Sequence, residues 1–155
     1  MLQYDFEESI GYWLTITTQA YQRALNEELL PHGLTVRHLQ VLGWLALEGD
    51  LTQSEMACRL MIEPPSLVGI LDRMERAGWI NRVASADDRR KKYIRLRPEA
   101  EPVWNRSVEC ARRLREQATA TLTEDEQRLL KDCLRRVHNQ LQETASPGKP
   151  SGKSA

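Results

Sequence analysis

Apolar residues recur at three- and four-residue spacing along most of this chain, and the breaks in that rhythm mark its turns. Across residues 4–30 the series Ile10, Trp13, Leu14, Thr17, Tyr21, Ala24, Leu25 and Leu29 predicts a long amphipathic helix. Pro31-His32-Gly33 stops it, because proline cannot continue a helix and glycine tolerates the left-handed turn. Thr35 reads as the N-cap of a second helix, marked by Leu39, Leu42, Leu45 and Ala46 and ending near Gly49-Asp50.

The middle of the chain is built differently. Thr52-Gln53-Ser54-Glu55 is a capping box, hydroxyl and carboxylate each satisfying a backbone N–H, and it opens a helix of about two turns through Leu60. Pro64 and Pro65 begin the next helix, where the first N–H groups have no intrahelical partner. That helix buries Leu67, Leu71 and Met74 and ends at Ala77-Gly78. Val83 and Ile94 then sit on two strands flanking a charged tip, Ser85-Ala86-Asp87-Asp88-Arg89-Arg90-Lys91-Lys92. A helix, a turn, a second helix and a two-stranded hairpin with a basic tip make a winged helix-turn-helix.

After Pro98 the helical rhythm returns. Val103, Trp104, Val108, Ala111 and Leu114 form one stripe. A second capping box, Thr123-Glu124-Asp125-Glu126, leads into Leu129, Leu130, Cys133, Leu134, Val137 and Leu141. Residues 146–155 hold nothing able to build a core and are predicted to be disordered. The fold class is therefore mainly α with a small β-hairpin wing. The organisation is a first helix at 1–33, the winged helix-turn-helix at 34–97, closing helices at 98–145 and a tail at 146–155. The first and closing helices carry more apolar surface than the winged helix can cover, which predicts a homodimer built from both ends of the chain.

Composition narrows the function. No apolar run is long enough to span a bilayer, and the N-terminus lacks the pattern of a signal peptide, so a cytoplasmic protein without membrane contact is expected. Net charge is zero but unevenly spread. Residues 1–58 carry −6, residues 59–97 carry +5 from ten Lys or Arg against five acids, and residues 98–155 carry +1. Positive charge thus collects on the winged helix, as duplex DNA requires. Cys58, Cys110 and Cys133 are odd in number and widely spaced, which speaks against disulfides and zinc; each reads as a small buried apolar residue. His32 and His138 form no metal constellation, and no phosphate loop, HExxH or GxSxG signature is present, so neither enzyme nor cofactor is expected.

On the second helix of the pair, Ser66, Gly69, Arg73 and Arg76 share the face opposite its apolar side. Ser66, near the positive end of the helix dipole, suits a phosphate or base edge, or is a plain cap. Arg73 suits a phosphate, or is occupied by Asp72 or Glu75. Arg82 and Arg95 on the strands read as phosphate contacts. A winged helix used only to bind another protein is the alternative reading.

From Leu34 to Leu96 the sequence resembles the MarR family of bacterial winged-helix regulators, its SlyA-like branch in particular. The resemblance lies in Leu34-Thr35, Gln53-Ser54-Glu55-Met56-Ala57, Ile62-Glu63-Pro64-Pro65-Ser66-Leu67-Val68, Leu71-Asp72-Arg73-Met74-Glu75-Arg76-Ala77-Gly78-Trp79-Ile80, Asp88-Arg89-Arg90 and Ile94-Arg95-Leu96. It implies a homodimeric repressor, or an activator by anti-silencing, on a pseudo-palindromic operator, with the second helix in the major groove. By the Asp88-x-Arg90 spacing of the family's wing, Arg90 enters the minor groove, Asp88 orients a neighbouring arginine, and Arg89, Lys91 and Lys92 surround them. Where the family often has Arg, this chain has Gly69. Base reading then falls to Pro64, Pro65 and Val68 against thymine methyls, and to DNA shape. The resemblance also implies release by a small aromatic or phenolic anion. Trp13, His38, Trp44 and Ile62 are the residues named for its cleft, with ordinary core as the alternative for both tryptophans.

Overall fold

A computed structural model describes residues 5–84 and 91–145. Six α-helices and three short strands follow one another as α1 (Ile10–Leu29), α2 (Val36–Glu48), β1 (Leu51–Thr52), α3 (Gln53–Leu60), α4 (Pro64–Arg76), β2 (Ile80–Ala84), β3 (Lys92–Leu96), α5 (Glu101–Ala118) and α6 (Glu124–Ala145). Most boundaries fall where local chemistry puts them. The Thr35 hydroxyl accepts the His38 N–H at 3.3 Å to start α2, and Gly49 ends it at φ 81°. Both capping boxes close: Glu55 Oε2 accepts the Thr52 N–H at 2.8 Å, and Glu126 Oε2 accepts that of Thr123 at 2.8 Å.

The first helix starts later than its apolar rhythm suggests. Ser9 caps it by accepting the Tyr12 N–H at 3.2 Å, and the chain before Ser9 is a turn. The hairpin also gains a third strand. Leu51 and Thr52, the latter also the N-cap of α3, pair antiparallel with Ile94 and Tyr93, giving the sheet order β1-β3-β2.

The chain divides into two compact units after Arg115. The first has two apolar clusters. One joins α2, α3, α4 and the sheet through Val41, Met56, Leu71, Met74 and Ile94, all fully buried. The other joins Leu25 and Leu29 of α1 to Cys110 and Leu114 of α5, and Trp79 and Val103 pack against both. Cys110 is buried as expected, but Cys58 and Cys133 are exposed: Cys58 falls on the outer side of α3, and α6, which carries Cys133, buries none of its described side chains. The second unit holds α6, and among its described side chains no apolar one is buried. No described helix is long and apolar enough to cross a membrane.

Candidate nucleic-acid interface

The turn between α3 and α4 fixes how α4 is presented. Met61 closes α3 in the left-handed region at φ 50°, and the Ile62 N–H returns to the Ala57 carbonyl at 3.1 Å. Pro64 occupies the first turn of α4, and Glu63 supplies no side-chain cap. Leu67, Ile70, Leu71 and Met74 then anchor α4 in the core; Ile70 is a fourth anchor that the spacing of the other three did not single out. Pro64, Pro65, Ser66, Val68, Gly69, Arg73 and Arg76 are all exposed.

These exposed residues do not form a single face. At 100° per residue, Pro65, Gly69 and Arg76 point straight away from the core. Pro64 and Val68 turn towards one flank. Ser66 and Arg73 turn to the other, where they line a cleft with α1 and α2. At Gly69 an added Cβ would meet only a terminal nitrogen of Arg73, at 3.9 Å, so nothing in the packing demands glycine.

Arg82 has a structural role that its place on the strand did not suggest. Its guanidinium donates to Asp72 at 2.6 Å and to Glu75 at 3.0 Å, while its backbone N–H donates to Glu75 at 3.0 Å. Its side chain is 18% exposed. Two of its five guanidinium N–H groups pin β2 to α4, the Nε–H is buried without a partner, and one N–H remains on each terminal nitrogen. Arg95 is likewise paired, with Asp50 at 2.6 Å. Arg73, by contrast, makes no ion pair among the described residues, since Arg82 has taken both acids beside it. Lys91 and Lys92 are exposed at the start of β3. Asp88, Arg89 and Arg90 lie outside the described residues.

The MarR family profile matches residues 34–92. Over 107 residues the chain is 34% identical to the homoprotocatechuate degradative operon repressor of Escherichia coli, covering 66% of this chain and 72% of that protein. The chain belongs to the MarR family. The structure agrees: wild-type MarR of E. coli superposes with a TM-score of 0.77 at 25% identity, over 83% of this chain and 96% of that one. A cysteine-to-serine variant of the same MarR, solved with operator DNA, superposes at 0.73 with 26% identity, over 87% and 99%. This chain is thus a MarR-family transcriptional regulator with that family's winged-helix fold.

The four residues named for an effector are not gathered in any of the three cavities described for this MarR-family chain. Trp13 is 51% exposed and donates its indole N–H to the Glu7 carbonyl at 2.8 Å, so it is not core either. Trp44 and Ile62 pack on the first apolar cluster, with Arg59 over the Trp44 ring at 5.7 Å. His38 is buried edge-on against Trp79, ring centres 5.5 Å apart, with no hydrogen-bond partner for either nitrogen. Burial lowers its pKa, and the Arg73 charge adds to that.

The aromatic wall and the free cation that a benzoate-like anion needs are found apart. A cavity of about 190 Å³ has Trp104 beside Leu42 and Leu96, but its cation, Arg97, is paired with Glu99 at 2.7 Å, and Glu101 also lines it. The cleft beside Arg73 has a second cation, Arg37, and no aromatic ring. Arg37 went unremarked in the sequence, although one signal was there: a base two residues past the N-cap Thr35 sits at the positive end of a helix dipole, where an acid is favoured.

Proposed function

We propose that the chain acts in the cytoplasm as a homodimer, bound to a pseudo-palindromic operator in double-stranded DNA and repressing transcription from it. The observation that carries this reading is the charge arrangement on α4. Asp72 and Glu75 would repel a phosphate backbone, and Arg82 holds both. Arg73 and Arg76 are left as the outward charge of an exposed helix of groove-filling size. A relative named as the repressor of a degradative operon supports the repressor sign.

In this reading α4 enters the major groove. Ser66, Arg73 and Arg76 contact phosphates, and Pro64, Pro65 and Val68 meet thymine methyls, since Gly69 offers no side chain to a base. Arg90 enters the minor groove, oriented by Asp88, with Arg89, Lys91 and Lys92 on the flanking phosphates. Two copies set their α4 helices one DNA turn apart, roughly 34 Å. Release by a small aromatic or phenolic anion is the remaining part of the proposal, and it is detached from Trp13, His38, Trp44 and Ile62.

Selecting bound duplexes from a random pool tests this. The expected result is an A/T-rich inverted repeat with half-sites about 10 base pairs apart, bound with a steep salt dependence. Arg90→Ala should weaken it. A pool that yields no sequence, with a shallow salt slope, would sink the reading and favour a protein-binding role.

A further inference from the structure

The cavity of about 190 Å³ beside Trp104 lies between α2, the end of β3 and the start of α5. Buried Leu42 and Ala100 form its floor, and half-buried Leu96 and Trp104 its walls. It opens to solvent at Ala46, Arg97 and Glu101, all exposed. The Trp104 ring reaches across to α2 at Gly43, where an added Cβ would meet its Cζ3 at 3.7 Å. The lining is almost wholly apolar, and the two charges at the mouth are not equivalent. Arg97 donates to Glu99 at 2.7 Å, so its charge is already offset. Glu101 makes no ion pair and no side-chain hydrogen bond among the described residues. It stands three residues before Trp104 in the first turn of α5, so carboxylate and ring share one side of the helix.

We propose that this cavity binds a small organic cation, an ammonium ion carrying one apolar ring, with the ring inside and the charge held between Glu101 and Trp104. The volume sets the size, since an apolar cavity of about 150 Å³ takes one benzene and this one leaves room for a short linker besides. The unbalanced carboxylate sets the sign. A carboxylate ligand at the mouth would face Glu101, and Arg97 is engaged elsewhere. An ammonium group there gains a charge-assisted hydrogen bond from its own N–H to Glu101, and the indole adds cation–π attraction. A neutral ring would gain the burial alone. No residue of the cavity is among those proposed to touch DNA, so the site stands or falls apart from the operator reading.

Calorimetric titration of the full chain with benzylammonium, benzyl alcohol and benzoate, which share one ring and differ in charge, tests the site. Benzylammonium should bind saturably, one per chain, at about millimolar strength or tighter, as so few atoms allow. Benzyl alcohol should bind about tenfold more weakly, and benzoate should not displace the cation. Glu101→Gln keeps the shape and removes the charge. It should erase the preference for benzylammonium and leave benzyl alcohol binding unchanged. Ala46→Phe places a ring in the mouth and should weaken both ligands about tenfold. Both positions are exposed, so both variants should melt as wild type does. The proposal is overturned if benzylammonium does not saturate, if benzyl alcohol binds as tightly, or if benzoate displaces the cation. It is also overturned if Glu101→Gln retains the preference, because another acid then holds the charge. Unchanged binding to Ala46→Phe would overturn it as well, because the ligand then lies outside this cavity.

Discussion

Arg82 holds one strand and two turns of a helix together with a single side chain, and removing it would leave two carboxylates facing each other without a counterion. Arg82→Met should therefore destabilise the fold by about 2 kcal/mol, the scale of hydrogen bonds to charged groups at a partly exposed site. Adding Asp72→Asn to the same chain should recover part of the loss, and urea unfolding of the three proteins measures both steps. His38 makes a second prediction. Its folded pKa lies below the usual 6.5, so between those two values the unfolded chain binds more protons. Stability is then full above about pH 6.5 and falls as the pH drops towards the folded pKa. His38→Phe should flatten the unfolding free energy across pH 5.5–7. Neither role was legible in the sequence. It shows that Arg82 and His38 are charged or titratable, but pairing and burial depend on residues seven to forty-one positions away, such as Glu75 and Trp79.

Helices and their ends were far easier to read, because caps, prolines and glycines act within one turn. Both capping boxes, the Thr35 cap and the Pro64 start of α4 follow from three or four neighbouring residues. The strand β1 did not, since two residues have no period and only the partner β3 makes them a strand. Within α4, Gly69 is the exception to good helix design. Nothing fills the space its side chain would occupy, so Gly69→Ala should stabilise the protein by about 1 kcal/mol, the ordinary helix penalty of glycine. Urea unfolding with an unchanged slope checks it. A larger change tests the base-reading argument: Gly69→Arg should create a preference for guanine at one operator position worth about 1–3 kcal/mol. A selected sequence unaltered by that substitution would mean that α4 does not face the bases through this position.

At the scale of the whole molecule, the second unit poses the problem of a helix without a core. Leu130, Leu134, Val137 and Leu141 recur at four, three and four residues along α6, so they form one stripe, and all are exposed in the single chain. Leu141 is 59% exposed. A stripe of that length on a helix of 22 residues is stable when something covers it, because each leucine buried contributes roughly 1.5–3 kcal/mol. Exposed Ile10 and Trp13 on α1 raise the same demand at the other end of the chain. In the proposed homodimer a second copy would meet both demands, and it would bring the two α4 helices that a two-fold operator requires. Leu134→Glu places a carboxylate in the middle of the stripe. Sedimentation equilibrium should show a dimer for wild type and a monomer for the variant at micromolar concentration. The melting temperature should rise with protein concentration for wild type only. Operator affinity should fall as dimerisation is lost, since one α4 alone holds a half-site. A variant that remains dimeric with unchanged operator affinity would mean that the stripe on α6 is covered by something other than its own copy.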